Sequence, residues 1–269
     1  MKKRNSHIWF GAFIAFGLLW NSAQAGALYD SSIKHQPKDN IVRLFGPGGP
    51  HTAYIKAANA FEKKTGNKVE VVYGPESKWS REAQKSADVI FGSSEQSMTA
   101  YLENYPFLDS DQVEPLYTRR AVIVVQKGNP KNIKGFHDLL EPGVSVVVTE
   151  GKGVYNTSGT GVWEDVAGRL GSLDEVKRLR GNIIAFEKGS GASFRAFRDR
   201  HADAWITWVH WPLDHADVAD YVELDQERRI YRVTNVAVSP DADKAAIAFV
   251  DFIKSAEGAA LFASEGWGR

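Results

Sequence analysis

Residues 41–92 read IVRLFGPGGPHTAYIKAANAFEKKTGNKVEVVYGPESKWSREAQKSADVIFG. Three short apolar runs, 41–45, 68–73 and 88–91, alternate here with amphipathic segments. The segment between the first two runs has its apolar residues on one helical face, and Gly66 follows it as a residue suited to ending a helix. This alternation predicts a β-α-β-α-β unit, in which a parallel sheet is covered by helices on both faces.

A second alternation of the same kind begins near residue 120. The apolar runs that predict strands are 120–126, 144–149, 183–186, 204–207 and 231–238. The segments that predict helices are 136–140, 160–169, 192–200, 241–254 and 256–264. The dipeptide Ala87-Asp88 precedes one strand and Ala202-Asp203 precedes another, which is a weak echo between the two halves. We therefore expect two α/β units.

The N-terminal segment has the order of a secretory signal peptide. Its first 25 residues hold three cations (Lys2, Lys3 and Arg4) and no acid, then an apolar stretch, then Ala23-Gln24-Ala25. The apolar stretch is shorter than the roughly 20 residues that a membrane-spanning helix needs. We expect cleavage after Ala25 and export of the chain to the periplasm. An uncleaved anchor and exposure on the cell surface are the alternatives.

Composition limits the kinds of function. The 269 residues are 43% hydrophobic and hold 33 basic and 33 acidic side chains. Without the signal segment the balance is 30 to 33, a net charge of −3, which gives no reason to expect a nucleic-acid partner. The absence of Cys removes disulfides, thiolate metal ligands and thiol nucleophiles. A hydrophobic core must hold the chain together, and the length suits about two domains.

Small and hydroxylated residues follow the predicted strands. Ligands of open parallel sheets bind beyond the carboxyl ends of the strands, where helix N-termini present unpaired N–H groups and partial positive charge. Glycine lets the backbone approach an anion, and hydroxyl groups add donors. The loops are 46–52, 77–79, 93–94, 156–161 and 190–191, with Thr207 at the end of another strand. The alternative is that each residue only caps a helix or shapes a turn.

No catalytic or nucleotide-binding motif accompanies these loops. The run 46–51 begins like a dinucleotide fingerprint, but it lacks the third glycine and contains two prolines without N–H groups. Neither a P-loop nor a Gly-x-Ser-x-Gly elbow occurs. His210, Asp214 and His215 lack the spacing of metal ligands, and we interpret them as a surface loop. We predict no metal, no cofactor, no catalytic residue and no enzymatic activity.

Aromatic and cationic residues leave two interpretations open. Three tryptophans cluster at Trp205, Trp208 and Trp211. They either pack in a core, or one of them, or Trp79, lines a ligand cleft. Arg119 and Arg120 lie where the chain is expected to pass between its two units. Such an arginine either binds a carboxylate or phosphate with two hydrogen bonds or forms an ion pair within the protein.

Several segments resemble the accessory colonization factor AcfC family. They are LFGPGGPHT (44–52), ADVIFGSSEQS (87–97), VQKGNP (125–130), VTEG (148–151), NTSGTGVWED (156–165) and ADAWITW (202–208). The C-terminal stretch 249–267 is similar to that of many periplasmic solute-binding proteins. The family is itself similar to the molybdate- and sulfate-binding proteins of ABC importers, which have a type II periplasmic-binding fold.

The resemblance implies an α/β fold with two Rossmann-like lobes joined by two crossover strands, near 119–125 and 231–238. Lobe 1 is then 26–117 with 238–269, and lobe 2 is 118–237. The ligand is held in the cleft between the lobes. Carried over position by position, the implied ligand-binding residues are Gly48, Gly49, Trp79, Ser93, Ser94, Thr149, Ser158, Gly159, Thr160, Ser190 and Thr207.

The implied function is the capture of a small anion for ABC-type uptake or sensing, with an importer membrane subunit as partner. The anion is an oxyanion such as sulfate or molybdate, or a phosphorylated or citrate-like acid. The alternative is a surface adhesin or colonization factor that acts through its outer surface. A homodimer stays open as an assembly. A glycosylation sequon begins at Asn156, but Val154 replaces the acid that favours glycan attachment.

Overall fold

The computed structural model describes residues 28–150 and 161–268, which form nine strands and nine α-helices. The predicted signal peptide and residues 151–160 lie outside the described residues. None of the described helices combines the length and apolar character needed to cross a membrane.

The first sheet is built on three parallel strands in the order β2-β1-β3. The elements of this unit are β1 (Ile41–Gly46), α1 (His51–Thr65), β2 (Lys68–Tyr73), α2 (Ser80–Ser86), β3 (Val89–Gly92) and α3 (Glu95–Asn104). Helix α1 ends at Gly66, which has a left-handed φ of 75° and donates its N–H to the Glu62 carbonyl. The β-α-β-α-β prediction for this stretch is confirmed.

The second sheet repeats the arrangement, with three parallel strands in the order β6-β5-β7. Its elements are β5 (Val146–Thr149), α4 (Val162–Gly168), α5 (Leu173–Asn182), β6 (Ile183–Glu187), α6 (Ser190–Asp199), β7 (Ala204–Trp208), α7 (His210–Asp214) and β8 (Ala219–Glu223). The segment Phe136–Leu140, expected as a short helix, forms a 3₁₀ helix before β5.

Two long strands connect the sheets. Strand β4 (Val113–Gln126) pairs antiparallel with β9 (Tyr231–Val238) through its first half and with β7 and β8 through its second half. Strand β9 also pairs with β3, and helices α8 (Lys244–Lys254) and α9 (Ala256–Ala263) then pack against the first sheet. The α/β fold with two lobes and two crossover strands is confirmed.

The echo between the two halves has a structural basis. The Asp88 carboxylate accepts a hydrogen bond from the N–H of Arg43 in β1 at 2.8 Å. In the other unit, the Asp203 carboxylate accepts one from the N–H of Ser145, next to β5, at 2.8 Å. Each aspartate therefore joins the amino ends of two neighbouring parallel strands and leaves their carboxyl ends as the edge open to a ligand.

Candidate anion-binding site

Arg119 lies between the carboxyl ends of the two parallel sets of strands. Its side chain is on β4 and is only 1% exposed. One guanidinium nitrogen, Nη2, donates a hydrogen bond to the carbonyl of Ser93, just beyond β3, at 3.0 Å. The guanidinium carbon lies 4.4 Å from the ring centre of Trp208, the last residue of β7. A single buried cation therefore contacts the ends of both sheets.

The charge of Arg119 has no carboxylate partner among the described residues. Its Nε is buried without a hydrogen-bond partner. Burial, followed by the nearby Arg232, lowers the pKa of Arg119 to about 9. The guanidinium is still protonated near neutral pH. A buried charge without a counterion is unfavourable. An anion bound here would therefore form the ion pair that Arg119 lacks among the described residues.

The loop after β1 is shaped around this guanidinium. A Cβ placed on Gly49 would lie 2.7 Å from the Nη1 of Arg119, whereas one on Gly48 would meet no atom within 4 Å. Glycine at position 49 therefore lets the backbone lie directly against the cation. The Gly48 carbonyl contacts the Nδ1 of His51, which anchors the loop to the first turn of α1.

The loop after β3 contributes Ser93 and Ser94 in different ways. The Ser93 side chain is buried, and its Oγ has no hydrogen-bond partner. Ser94 is the N-cap of α3, since its Oγ accepts a hydrogen bond from the N–H of Ser97 at 3.1 Å. The N–H groups of Ser93 and Ser94 both donate to the Ser97 Oγ, at 2.9 and 3.0 Å. The N–H groups of Ser93 and Ser94, which the sequence suggested as donors to a ligand, therefore already donate hydrogen bonds within the protein.

The second sheet places hydroxyl groups at its own strand ends. The Oγ1 of Thr149, at the end of β5, lies 2.7 Å from the Oγ of Ser193 in the first turn of α6. Ser190 is the half-buried first residue of that helix, and Thr207 is buried in β7 opposite Val122 of β4. Ser193 was not predicted, because a serine inside a helical segment gives no signal of its own in the sequence.

The structure does not bring the last four sequence candidates to this region. Ser158, Gly159 and Thr160 lie outside the described residues. Trp79 is 2% exposed and packs against Phe45, and its indole N–H donates to the Gly74 carbonyl at 3.1 Å. This placement favours the packing interpretation of Trp79.

His210 corrects one sequence interpretation. The residue was expected in a surface loop, but it begins α7 and is 2% exposed, with no partner for either ring nitrogen. Burial is the main cause that lowers its pKa well below the usual value, and the nearby charges of Arg119 and His51 lower it further. The imidazole is therefore neutral near neutral pH. The residues next to His210 in the sequence do not show whether its side chain is buried or exposed, so its burial near Arg119 was not predicted.

Arg120, the neighbour of Arg119, has a different role. Its Nη2 forms an ion pair with Glu223 at 2.8 Å, and its Nε also donates to that carboxylate at 2.9 Å. This contact favours the ion-pair interpretation for Arg120 and leaves the anion-binding interpretation open for Arg119. We call Arg119, Gly49, Ser93, Trp208 and His210 the Arg119 centre.

A separate cavity of about 360 Å³ lies beside α3, β4 and β9. Its lining is mainly apolar, with Met98, Leu102 and Val233, and Glu95 adds a negative charge. This chemistry does not suit an anion. The Arg119 centre is therefore the better candidate. No group of three or more His, Asp or Glu side chains that could hold a metal ion occurs in the described part of the chain.

Known structures share this architecture. L-phospholactate-bound PEB3 is 41% identical, with a TM-score of 0.80 over 85% of this chain and 99% of that one. Peb3 from Campylobacter jejuni is 42% identical, with a TM-score of 0.79 and the same coverage. The sulfate-binding protein SubI from Mycobacterium tuberculosis H37Rv has a TM-score of 0.69 over 85% of this chain and 86% of its own, and at 21% identity it shows the fold alone.

Sequence comparison agrees. A sulfate-binding protein of Salmonella typhimurium is 28% identical over 53% of this chain and 48% of its own length. A thiosulfate-binding protein of Pseudomonas aeruginosa is 26% identical over 92% of this chain and 75% of its own. The chain thus matches a third to a half of the length of the sulfate-binding relatives. A family model for bacterial extracellular solute-binding proteins matches residues 42–268. The resemblance seen in the sequence is confirmed, and the chain belongs to this family of bacterial extracellular solute-binding proteins.

Proposed function

We propose that this chain is an exported, periplasmic binding protein that captures a small anion at the Arg119 centre and delivers it to an ABC importer. The observation that carries the proposal is the buried Arg119 cation, which contacts the strand ends of both sheets and has no carboxylate partner among the described residues. The anion is bound and released unchanged, without a cofactor.

The proposed mechanism is closure of two lobes around the anion. We place the lobe boundaries at 26–117 with 238–269 and at 118–237, so that β4 and β9 form the hinge. Closure removes the anion from water and replaces its hydration with the Arg119 guanidinium, the free Ser93 hydroxyl and donors of the second lobe. Because only the closed form completes this set, the anion shifts the population toward closure.

The proposed ligand class follows from the chemistry of the site and from the relatives. Arg119 offers a planar cation that suits a carboxylate, phosphate or sulfate. The similar proteins include a sulfate-binding protein, a thiosulfate-binding protein and PEB3 bound to L-phospholactate. We therefore propose an oxyanion or a phosphorylated carboxylic acid. The contributing residues include those of the loop 158–160 as well as Gly48, Gly49, Thr149, Ser190 and Thr207.

The test compares two neighbouring arginines. The chain from Gly26 onward is titrated by calorimetry with sulfate, thiosulfate, molybdate, L-phospholactate and citrate. Arg119→Met should abolish the binding that the wild type shows, since truncating one partner of a buried charge pair costs about 2–5 kcal/mol or more. Arg120→Met removes an equal charge from a partly exposed ion pair and should retain binding.

Two results would count against the proposal. The first is unchanged affinity in Arg119→Met, and the second is the absence of binding to every anion in the panel. If adhesion to host cells or matrix were unchanged in Arg119→Met while no anion bound, the adhesin alternative would replace the transport function.

A further inference from the structure

The chain segment after α9 runs alongside β4 at the residue next to Arg119. The N–H of Gly268 donates a hydrogen bond to the Thr118 carbonyl at 2.8 Å, and the Gly268 carbonyl accepts one from the Thr118 N–H at 2.6 Å. The two residues therefore form an isolated antiparallel bridge. Because Thr118 directly precedes Arg119 in β4, the bridge fixes the backbone of Trp267 and Gly268 beside the buried cation.

Trp267 is the side chain that this bridge brings to Arg119. It is 2% exposed and packs in the core of the first sheet. The centre of its ring system lies 5.3 Å from the guanidinium carbon of Arg119, and that of Trp208 lies 4.4 Å from the same carbon. The guanidinium thus contacts two indole rings, one from the segment after α9 and one from the end of β7.

Two further contacts hold Trp267 in place. Its backbone N–H donates a hydrogen bond to the carbonyl of Phe262 in α9 at 3.1 Å. Its ring is stacked on that of His210, with the ring centres 6.4 Å apart and the planes at 18°. The indole N–H has no hydrogen-bond partner among the described residues. Ring contacts and the backbone, rather than a side-chain hydrogen bond, therefore set the orientation of this tryptophan.

The turn that carries Trp267 to this position requires a glycine. Gly266 has a left-handed φ of 78°, which a larger residue would rarely adopt. A Cβ at this position would also lie 2.8 Å from side-chain carbons of both Val209 and Leu213. The absence of a side chain at Gly266 thus lets the segment pass directly against α7 on its way to β4.

The Arg119 side chain depends on such support. It is long and flexible, and its one described hydrogen bond, from Nη2 to the Ser93 carbonyl, leaves the guanidinium plane free to turn. Contact with an aromatic face restricts that rotation and stabilises the cation without neutralising it, and tryptophan gives the strongest such interaction. Trp267 therefore supplies what the single hydrogen bond cannot.

We propose that Trp267 is a positioning residue for Arg119. It holds the guanidinium in one orientation and keeps water away from it, while the bridge between Gly268 and Thr118 holds Trp267 itself. The effect on the guanidinium is a property of this protein without ligand. The effect on anion affinity rests on the proposed function, because it acts through Arg119.

The first experiment measures hydrogen exchange at the Nε–H of Arg119 by NMR spectroscopy, in the protein without ligand. This N–H is buried without a hydrogen-bond partner in the described part of the chain. The same holds for the Nε–H of Arg228, which packs against Phe136 and serves as an internal reference. Trp267→Leu leaves a gap beside Arg119 and should speed exchange there by about tenfold or more, with the rate at Arg228 unchanged.

Trp79→Leu is the matched control. Trp79 is also 2% exposed, but it packs against Phe45 in a different core cluster, so its replacement should leave exchange at Arg119 at the wild-type rate. Equal rates in wild type and Trp267→Leu would overturn the inference, as would equal rises in the two leucine variants. If Trp267→Leu unfolds, exchange at Arg228 rises as well. Trp267→Phe then decides, since it should cause a smaller rise at Arg119 alone, and an unchanged rate would overturn the inference.

The second measurement is the affinity for L-phospholactate by calorimetry. Trp267→Leu should weaken binding by about tenfold and Trp267→Phe by less, because phenylalanine keeps an aromatic face toward the cation. Trp79→Leu should bind as wild type does, which separates positioning from a general loss of stability. Equal affinity in wild type and Trp267→Leu would contradict the inference. If the wild type does not bind L-phospholactate, that choice of ligand fails, while the exchange rates still decide for or against the role of Trp267.

Discussion

Two buried arginines of this protein have opposite surroundings. Arg228, in the second lobe, is fully buried, forms an ion pair with Glu175 at 2.5 Å and donates to the Val166 carbonyl at 3.0 Å. Its guanidinium carbon also lies 4.0 Å from the ring centre of Phe136. Arg119 is equally buried, but its one described hydrogen bond goes to a carbonyl, and aromatic rings cover its guanidinium.

The difference separates a charge that is neutralised within the protein from one that, under the proposed function, the captured anion neutralises. Arg228 is neutralised and hydrogen-bonded within its own lobe, so its electrostatic interaction contributes to the folded state. Arg119 has the cost of desolvation, and none of the described carboxylates forms an ion pair with it, although the charge of Glu95 offsets part of the cost. Indole rings stabilise a desolvated guanidinium by about 2 kcal/mol or more, without neutralising its charge. The field of Arg119 is thus still available to an anion.

The largest effect is expected when the structural arginine is removed. Arg228→Met should lower the free energy of unfolding by about 3–5 kcal/mol, because it breaks a buried ion pair and leaves Glu175 with the exposed His137 as its remaining described partner. Urea denaturation measures this loss, and Arg229→Met is the neighbouring control, since Arg229 makes one hydrogen bond to the Leu224 carbonyl. Similar stabilities for the two variants would remove the distinction drawn here.

A smaller change in stability, of opposite sign, is expected at the other arginine. Arg119→Met should leave the free energy of unfolding unchanged or raise it by up to about 2 kcal/mol, because it removes a buried charge that forms no ion pair with any described residue. The measurement is denaturation in a buffer free of oxyanions. A loss comparable with that of Arg228→Met would mean that Arg119 is also a structural residue.

The smallest effect is expected from the loop against Arg119. Gly49→Ala places a methyl group 2.7 Å from the Arg119 Nη1 and should displace the end of that side chain. Anion affinity should fall by about tenfold, or 1.4 kcal/mol, with little change in the unfolding midpoint. Gly181→Ala in α5, where a Cβ meets no atom within 4 Å, is the control. Equal affinity in both variants would show that the contact at Gly49 does not position the cation.

Much of the fold was predictable because its signals are local. Gly66 ends α1 and Ser94 begins α3, each through interactions with residues within four positions. The apolar run of β5 likewise predicts a strand buried on both faces. Three elements were not predicted. Helix α5 has few apolar residues and buries only Leu179, and the polar strand β8 is defined mainly by its pairing with β4. Helix α7 lies where a surface loop was expected.

The candidate site was predictable only in part. The hydroxyl-rich loops lie at strand ends because the alternation of strands and helices fixes which ends share an edge. The sequence did not distinguish Arg119 from Arg120. Alternation along β4 turns the Arg119 side chain inward and the Arg120 side chain toward Glu223, but two adjacent arginines in a sequence do not show which of them is buried. Nor did it show that Ser97 uses two of the backbone donors, which depends on the geometry of a single turn.

The late position of β9 affects the order in which the molecule can fold. Strand β3 pairs with β9, and α1 packs on α8 and α9, although well over a hundred residues separate these partners in the chain. The second sheet, by contrast, is formed from β4 to β8 as one continuous stretch. A ribosome therefore releases the first-made strands long before their last neighbours exist. The lobe that is synthesised first is completed last.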